Sequence, residues 1–150
     1  FAAPDFGVDL FKLESPVPAA TVPGVGADGW AATQAQFDAL GAAAGRPWVM
    51  LSAGAGMAEF ERILSHAYKA GASGYLAGRA IWAEAFRAYP DWDAIDSGLS
   101  GAALDYMQRI NTLTDKDATP WAAHPCFGGT PPAPQPADGS FRHYYPGFGG

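Results

Sequence analysis

The chain has 150 residues, a formal net charge of −6 and 49% hydrophobic residues, enough apolar material for the core of one ordinary domain. The acidic balance comes with no basic run and no interleaved basic and aromatic stripe, which argues against nucleic acid and anionic membrane surfaces as partners and points to a small ligand. No apolar stretch approaches the ~20 residues of a membrane span, and the single cysteine, Cys126, permits no internal disulfide, so a soluble, cytoplasmic protein is the expectation.

The chain opens on Phe1 rather than Met and meets its first strand signal at once, the pattern of a fragment or a processed product. That signal is Val8-Asp9-Leu10-Phe11-Lys12-Leu13-Glu14. Strand alternation puts Val8, Leu10, Lys12 and Glu14 on one face and Asp9, Phe11 and Leu13 on the other. Only two other lysines exist, Lys69 and Lys116, both in helical segments. A lysine on the apolar face of a buried strand is costly as an ammonium, and burial there favours a neutral, nucleophilic amine. The alternative is a strand-end lysine whose stem lies on apolar surface and whose head reaches water.

A Pro/Gly-rich loop follows from Ser15 to Gly29, and then a helix over Trp30 to Ala44 closed by Gly45. Pro47 to Ala53 reads as a second, buried strand. After Gly54-Ala55-Gly56 a helix runs from Met57 to Ala70, with Met57, Phe60, Ile63, Leu64 and Ala67 as its core stripe and Gly71 as its stop. A third strand over Ala72 to Ala77 ends at Gly78-Arg79-Ala80. A helix from Ile81 to Tyr89 stops before Pro90, and a last one over Ser100 to Leu113 carries Leu104, Met107 and Ile110 at core spacing. From Thr119 the chain is Pro/Gly-rich and aperiodic. The division is therefore an ordered part, 1–118, and an irregular tail, 119–150.

Three consecutive βα units predict parallel strands with right-handed crossovers, in a doubly wound sheet or a (β/α)₈ barrel. Both architectures bind ligands at the carboxyl ends of the strands, and barrels commonly hold a phosphate after strands seven and eight. Those ends here carry Lys12 and Glu14, then Ser52-Ala53-Gly54, then Gly78-Arg79. Gly54 and Gly56 allow backbone N–H groups to approach an anion at the start of the next helix, and Arg79 offers a planar fork suited to phosphate oxygens. Taken singly, Ser52-Ala53-Gly54 is equally an ordinary tight turn, and Arg79 equally a surface ion-pair partner.

Together, Gly7-Val8-Asp9-Leu10-Phe11-Lys12-Leu13-Glu14-Ser15-Pro16, Leu51-Ser52-Ala53-Gly54 and Gly78-Arg79-Ala80-Ile81-Trp82 resemble the class I tagatose-1,6-bisphosphate aldolases and the related sulfofructosephosphate aldolases. The resemblance covers about 1–120 in order and spacing. It implies an α/β fold of the TIM-barrel type, with only the last three βα units, strands six to eight, present in this chain. It also implies a ketose phosphate cleaved or formed through a Schiff base on Lys12, with dihydroxyacetone phosphate and an aldehyde as the pieces. Ser52, Ala53, Gly54, Gly78 and Arg79 would surround the phosphate, and Glu14 would stand at the mouth in reach of substrate. No cofactor and no metal are implied. What departs from the family pattern is the five upstream strands and the acidic residue they carry for proton transfer. A homo-oligomer, or association with the missing barrel half, is accordingly expected. The competing reading is a non-catalytic phosphate-binding half-barrel, or a subunit that completes a barrel with another chain.

Other motifs carry less. Gly24-Val25-Gly26-Ala27-Asp28-Gly29 fits a dinucleotide fingerprint literally, but the strand signal ended about ten residues earlier and no acidic residue follows at the required distance. His66 falls on a helix, while His124, Cys126 and His143 have no recognised ligand spacing.

Overall fold

The computed structural model describes residues 1–130 and residue 133. Its centre is a three-stranded parallel sheet in the order β1-β2-β3, with β1 at Phe11–Leu13, β2 at Trp48–Leu51 and β3 at Gly74–Leu76. All three strands are shorter than the apolar runs predict. Phe11 pairs with Trp48, and Met50 with Tyr75. Phe11, Leu13, Trp48, Met50 and Tyr75 thus share one face, and Lys12, Val49, Leu51, Gly74 and Leu76 the other.

Helices cover only the first of these faces. Helix α1 (Trp30–Ala44) links β1 to β2, and α2 (Met57–Lys69) links β2 to β3. The predicted stripe on α2 is buried at Phe60, Ile63, Leu64 and Ala67, with Met57 packed against the core from its edge. Trp48 and Met50 of β2 meet this stripe together with Phe37 of α1. Helix α1 ends on Gly45, whose φ of +60° makes the left-handed turn into β2.

Beyond β3 the structure departs from expectation. Arg79 is the first residue of α3 (Arg79–Phe86) rather than part of a strand end, because the strand stops at Leu76 and Gly78 caps the helix. A helix that sequence pattern did not indicate, α4 (Trp92–Gly98), starts where the Asp91 carboxylate accepts from the Ala94 N–H at 2.9 Å. It runs through a π-helical turn, Leu99–Ala103, into α5 (Leu104–Asp117). The buried face of this last stretch is Ala103, Tyr106 and Ile110, whereas Leu104 is exposed and Met107 only half-buried. Tyr106 enters the core because its hydroxyl finds an acceptor there, the Met57 carbonyl at 2.8 Å.

After α5 the Thr119 N–H donates to the Ala72 carbonyl at 3.0 Å, and two short 3₁₀ turns follow at Trp121–Ala123 and Pro125–Phe127. The tail is therefore locally ordered where it begins; residues 131, 132 and 134–150 lie outside the described residues. Among the described residues no helix is long and apolar enough to cross a membrane.

Candidate functional site

The face of the sheet away from the helices is open. Lys12 is exposed on it, beside Val49 and Leu51 of β2, and Leu76 of β3 is 47% exposed. The expected burial of Lys12 is thus not provided by the described residues. Its ammonium is in no ion pair among them, whereas Lys69 lies over the Trp30 ring at 5.7 Å and Lys116 stands 3.7 Å from Asp117.

At the carboxyl end of β2 the chain turns tightly. Ser52 is buried; its N–H donates to the Leu76 carbonyl at 3.1 Å, prolonging the ladder, and its carbonyl accepts from Ala55 at 2.8 Å. The two residues inside that turn, Ala53 and Gly54, have φ of +47° and +87°. A left-handed alanine is uncommon and costs about 1–2 kcal/mol, the kind of local strain that clusters at binding sites. The tight-turn reading of Ser52-Ala53-Gly54 is met, and the turn lies at the carboxyl end of β2 where the anion site is expected.

The expected anion contact at the start of α2 is partly pre-empted. The carboxylate of Glu59 reaches back to the Gly56 N–H at 2.9 Å, so the chain's own anion satisfies that donor. The start of α3 is different. Gly78 presents its carbonyl to Ile81 and Trp82, while the first N–H groups of a helix have no intrahelical acceptor and point outward from its end. Arg79 adds a guanidinium at that position. It is exposed and in no salt bridge among the described residues. The surface ion-pair reading of Arg79 is not supported.

Lys12, Ser52, Ala53, Gly54, Gly78 and Arg79 line one open depression of about 510 Å³, together with Leu51, Leu76, Ala77 and Trp82. Six of the seven residues picked from sequence are therefore brought together at the carboxyl ends of three parallel strands. Glu14 is the exception. It borders an adjoining hollow of about 280 Å³, walled by the loop after β1 and sharing Leu51, Ser52 and Ala53 with the depression. That loop is shaped locally, the Ser15 hydroxyl donating to the Val17 carbonyl at 2.7 Å, and is tied to α2 where Arg62 Nε donates to the Val22 carbonyl at 2.8 Å. Trp82, which closes the Gly78-Arg79-Ala80-Ile81-Trp82 motif but was not picked as a site residue, is 41% exposed and lines the depression. Its position three residues after Arg79, one helical turn on, was the available signal.

Among the described residues no three His, Cys, Asp or Glu side chains group as metal ligands would. His124 Nδ1 accepts from the Cys126 N–H at 3.2 Å within a 3₁₀ turn; His143 lies outside the described residues. The Gly24–Gly29 segment is loop leading into α1, well past the end of β1 at Leu13.

The described residues thus form a parallel α/β unit with a lysine on the open sheet face and an arginine at the strand ends. The chain belongs to the DeoC/LacD aldolase family, whose pattern it matches over residues 2–84. It is 34% identical over 131 residues to tagatose 1,6-diphosphate aldolase 2 of Streptococcus mutans, covering 81% of this chain and 39% of that protein. It is 31% identical over 129 residues to tagatose 1,6-diphosphate aldolase of Listeria monocytogenes serotype 4a, covering 81% and 38%. With tagatose 1,6-diphosphate aldolase 1 of Streptococcus pyogenes serotype M3 it shares 33% over 129 residues, covering 81% and 40%. The chain thus spans about two-fifths of the length of the curated relatives it matches.

Proposed function

We propose that residues 1–118 are the last three βα units, strands six to eight, of a (β/α)₈ barrel, and that the completed protein is a cytoplasmic class I aldolase. Its substrate is a ketose phosphate of the tagatose 1,6-bisphosphate or 6-deoxy-6-sulfofructose 1-phosphate type; the tagatose form is named by the relatives. The observation that carries this reading is the shared depression. Lys12 and Arg79 open into the same space on the uncovered sheet face, with the left-handed 52–54 turn between them.

The neutral amine of Lys12 attacks the substrate ketone, and loss of water leaves a protonated imine. That imine accepts the electron pair of the bond between its α and β carbons as it breaks, while the β-hydroxyl gives its proton to a base carried by the remaining strands; an aldehyde leaves and an enamine remains. Protonation of the enamine carbon and hydrolysis then return dihydroxyacetone phosphate and free Lys12. The Arg79 guanidinium, the Gly54 and Gly78 backbone and Ser52 hold the phosphate, so that the carbonyl stays within reach of Lys12; fixing that geometry is the entropic share of catalysis. Glu14, which borders the adjoining hollow, stands at the mouth in reach of the substrate.

Closing the open face with the remaining strands supplies the water-poor surroundings in which a lysine amine becomes nucleophilic. The partner of this chain is therefore the rest of the barrel, in cis or in trans. Borohydride reduction in the presence of dihydroxyacetone phosphate, on the chain with the remaining strands supplied, should leave a mass adduct on Lys12. An adduct on Lys69 or Lys116 in its place overturns the assignment. So does retention of full turnover by Lys12→Met.

A further inference from the structure

Among the described residues Trp82 is the one aromatic side chain in the depression that also holds Lys12 and Arg79. It sits in the first turn of α3, its backbone N–H donating to the Gly78 carbonyl at 3.2 Å. Its indole nitrogen is turned toward Gly78: a Cβ built on that glycine would stand 3.4 Å from Trp82 Nε1. Glycine at 78 therefore leaves open the space beside the indole nitrogen that a side chain there would crowd. The ring is held in place by an edge-to-face contact with Phe86, centroids 5.4 Å apart and planes at 73°. Among the described residues no group accepts a hydrogen bond from Nε1, which is a donor only. A fixed, partly exposed donor next to an unpaired guanidinium at a helix start is suited to an acceptor that the chain itself does not provide.

We propose that Trp82 is a binding residue for the same anion as Arg79: its indole N–H donates to a phosphate oxygen, and Gly78 lacks a side chain so that this oxygen can approach. The inference rests on the phosphate-site reading of Arg79 given above and adds a neutral, directional donor to it. Arg79 supplies charge and a planar fork; Trp82 fixes which oxygen points away from the sheet. The ring also bounds the depression at the β3 side, so the phosphate end of the ligand is confined there while the reacting carbonyl extends toward Lys12.

The test uses the full chain and inorganic phosphate as the probe. Five tryptophans give five indole N–H resonances, and that of Trp82 is identified by its loss in Trp82→Phe, which keeps an aromatic ring. Phosphate titration should shift the Trp82 resonance saturably, and Trp82→Phe should weaken phosphate binding about tenfold, the scale of one hydrogen bond to a charged group. Gly78→Ala, which crowds the indole N–H, should weaken binding in the same direction. If Arg79→Lys weakens phosphate binding while the Trp82 resonance stays still and Trp82→Phe binds phosphate as before, this inference fails and the anion site stands. If no resonance responds to phosphate and Arg79→Lys has no effect, the anion site fails and the inference with it. Should Trp82→Phe not fold, a wild-type titration in which no indole resonance moves overturns the inference by itself.

Discussion

The guanidinium of Arg79 rests against the turn at Gly54, where a Cβ would stand 3.6 Å from Nη2. The end of β2 and the start of α3 are thereby brought to one point, although Gly54 and Arg79 lie 25 positions apart in sequence. Arg79→Lys keeps the charge and removes the fork. Binding of inorganic phosphate or dihydroxyacetone phosphate should weaken by about 1–3 kcal/mol, the loss of a charge-assisted hydrogen bond. Calorimetric titration reads this directly, and an unchanged affinity would place Arg79 outside the site.

The turn itself offers a paired test of backbone strain. Gly54→Ala has room for its methyl group but must adopt φ of +87°, so it should destabilise the chain by about 1–2 kcal/mol. Ala53→Gly starts from φ of +47° and relieves a similar strain. Against this, the added freedom of the unfolded chain costs about 0.4–1 kcal/mol. The net change at 53 should be near neutral or stabilising. Denaturant midpoints of the two variants, moving in the same direction by equal amounts, would show that the left-handed geometry is not what sets their stability.

The pattern of these residues shows what a sequence makes legible. Lys12, Ser52-Ala53-Gly54 and Gly78-Arg79 were identifiable because strand ends in parallel αβ units converge by topology, whatever the exact strand length. The core stripe of α2 was readable because five apolar residues repeat at helical spacing. Two things were not. The exposure of Lys12 depends on which elements cover the sheet, and local alternation carries no information about that. The buried face of α5 depends on Tyr106 finding the Met57 carbonyl, a contact 49 residues away in sequence, and on the π-helical turn that sets the helix's phase before it. Helix α4 was missed because its start signal is a single capping aspartate after Tyr89-Pro90, where proline reads as a stop.

His66 supplies a pH dependence. It is fully buried, stacked on Trp30 with centroids 3.6 Å apart, and Phe37 lies on it at 5.2 Å. Gln34 donates its amide N–H groups to Asp38 and to the His66 carbonyl, which leaves its oxygen to accept from Nδ1 at 2.8 Å; Nε2 faces the Pro23 carbonyl at 3.2 Å. Burial lowers the imidazole below its usual 6.5, Lys69 acts in the same direction, and the Pro23 carbonyl and Asp38 oppose them. Because the folded value is the lower one, the unfolded chain takes up the proton first as pH falls. Stability contributed here is complete above about pH 6.5 and is lost below it, toward the folded value. Denaturant midpoints at pH 7.5 and 5.5 should therefore fall for the wild type and fall less for His66→Gln. Equal decreases in the two proteins would remove His66 as the source.

The outer edges of β1 and β3 have no strand partner among the described residues, and the face between them exposes Leu76 as well as Lys12. Leu10, just before β1, is 45% exposed, and Trp82 and Phe86 lie beyond β3 with 41% exposure each. Unpaired parallel edges beside apolar surface are templates for further strand addition. The 150-residue polypeptide should accordingly self-associate, with an average mass in sedimentation that rises across the micromolar range. Leu10→Lys together with Leu76→Lys should lower that tendency, since charge on an edge opposes pairing. Turnover of a ketose phosphate should be low in the isolated chain, because Lys12 has no opposite wall to desolvate it, and should rise when a polypeptide bearing the remaining strands is added. A monomer at all concentrations with full turnover would mean that these three strands need no further wall, and the barrel reading would be wrong.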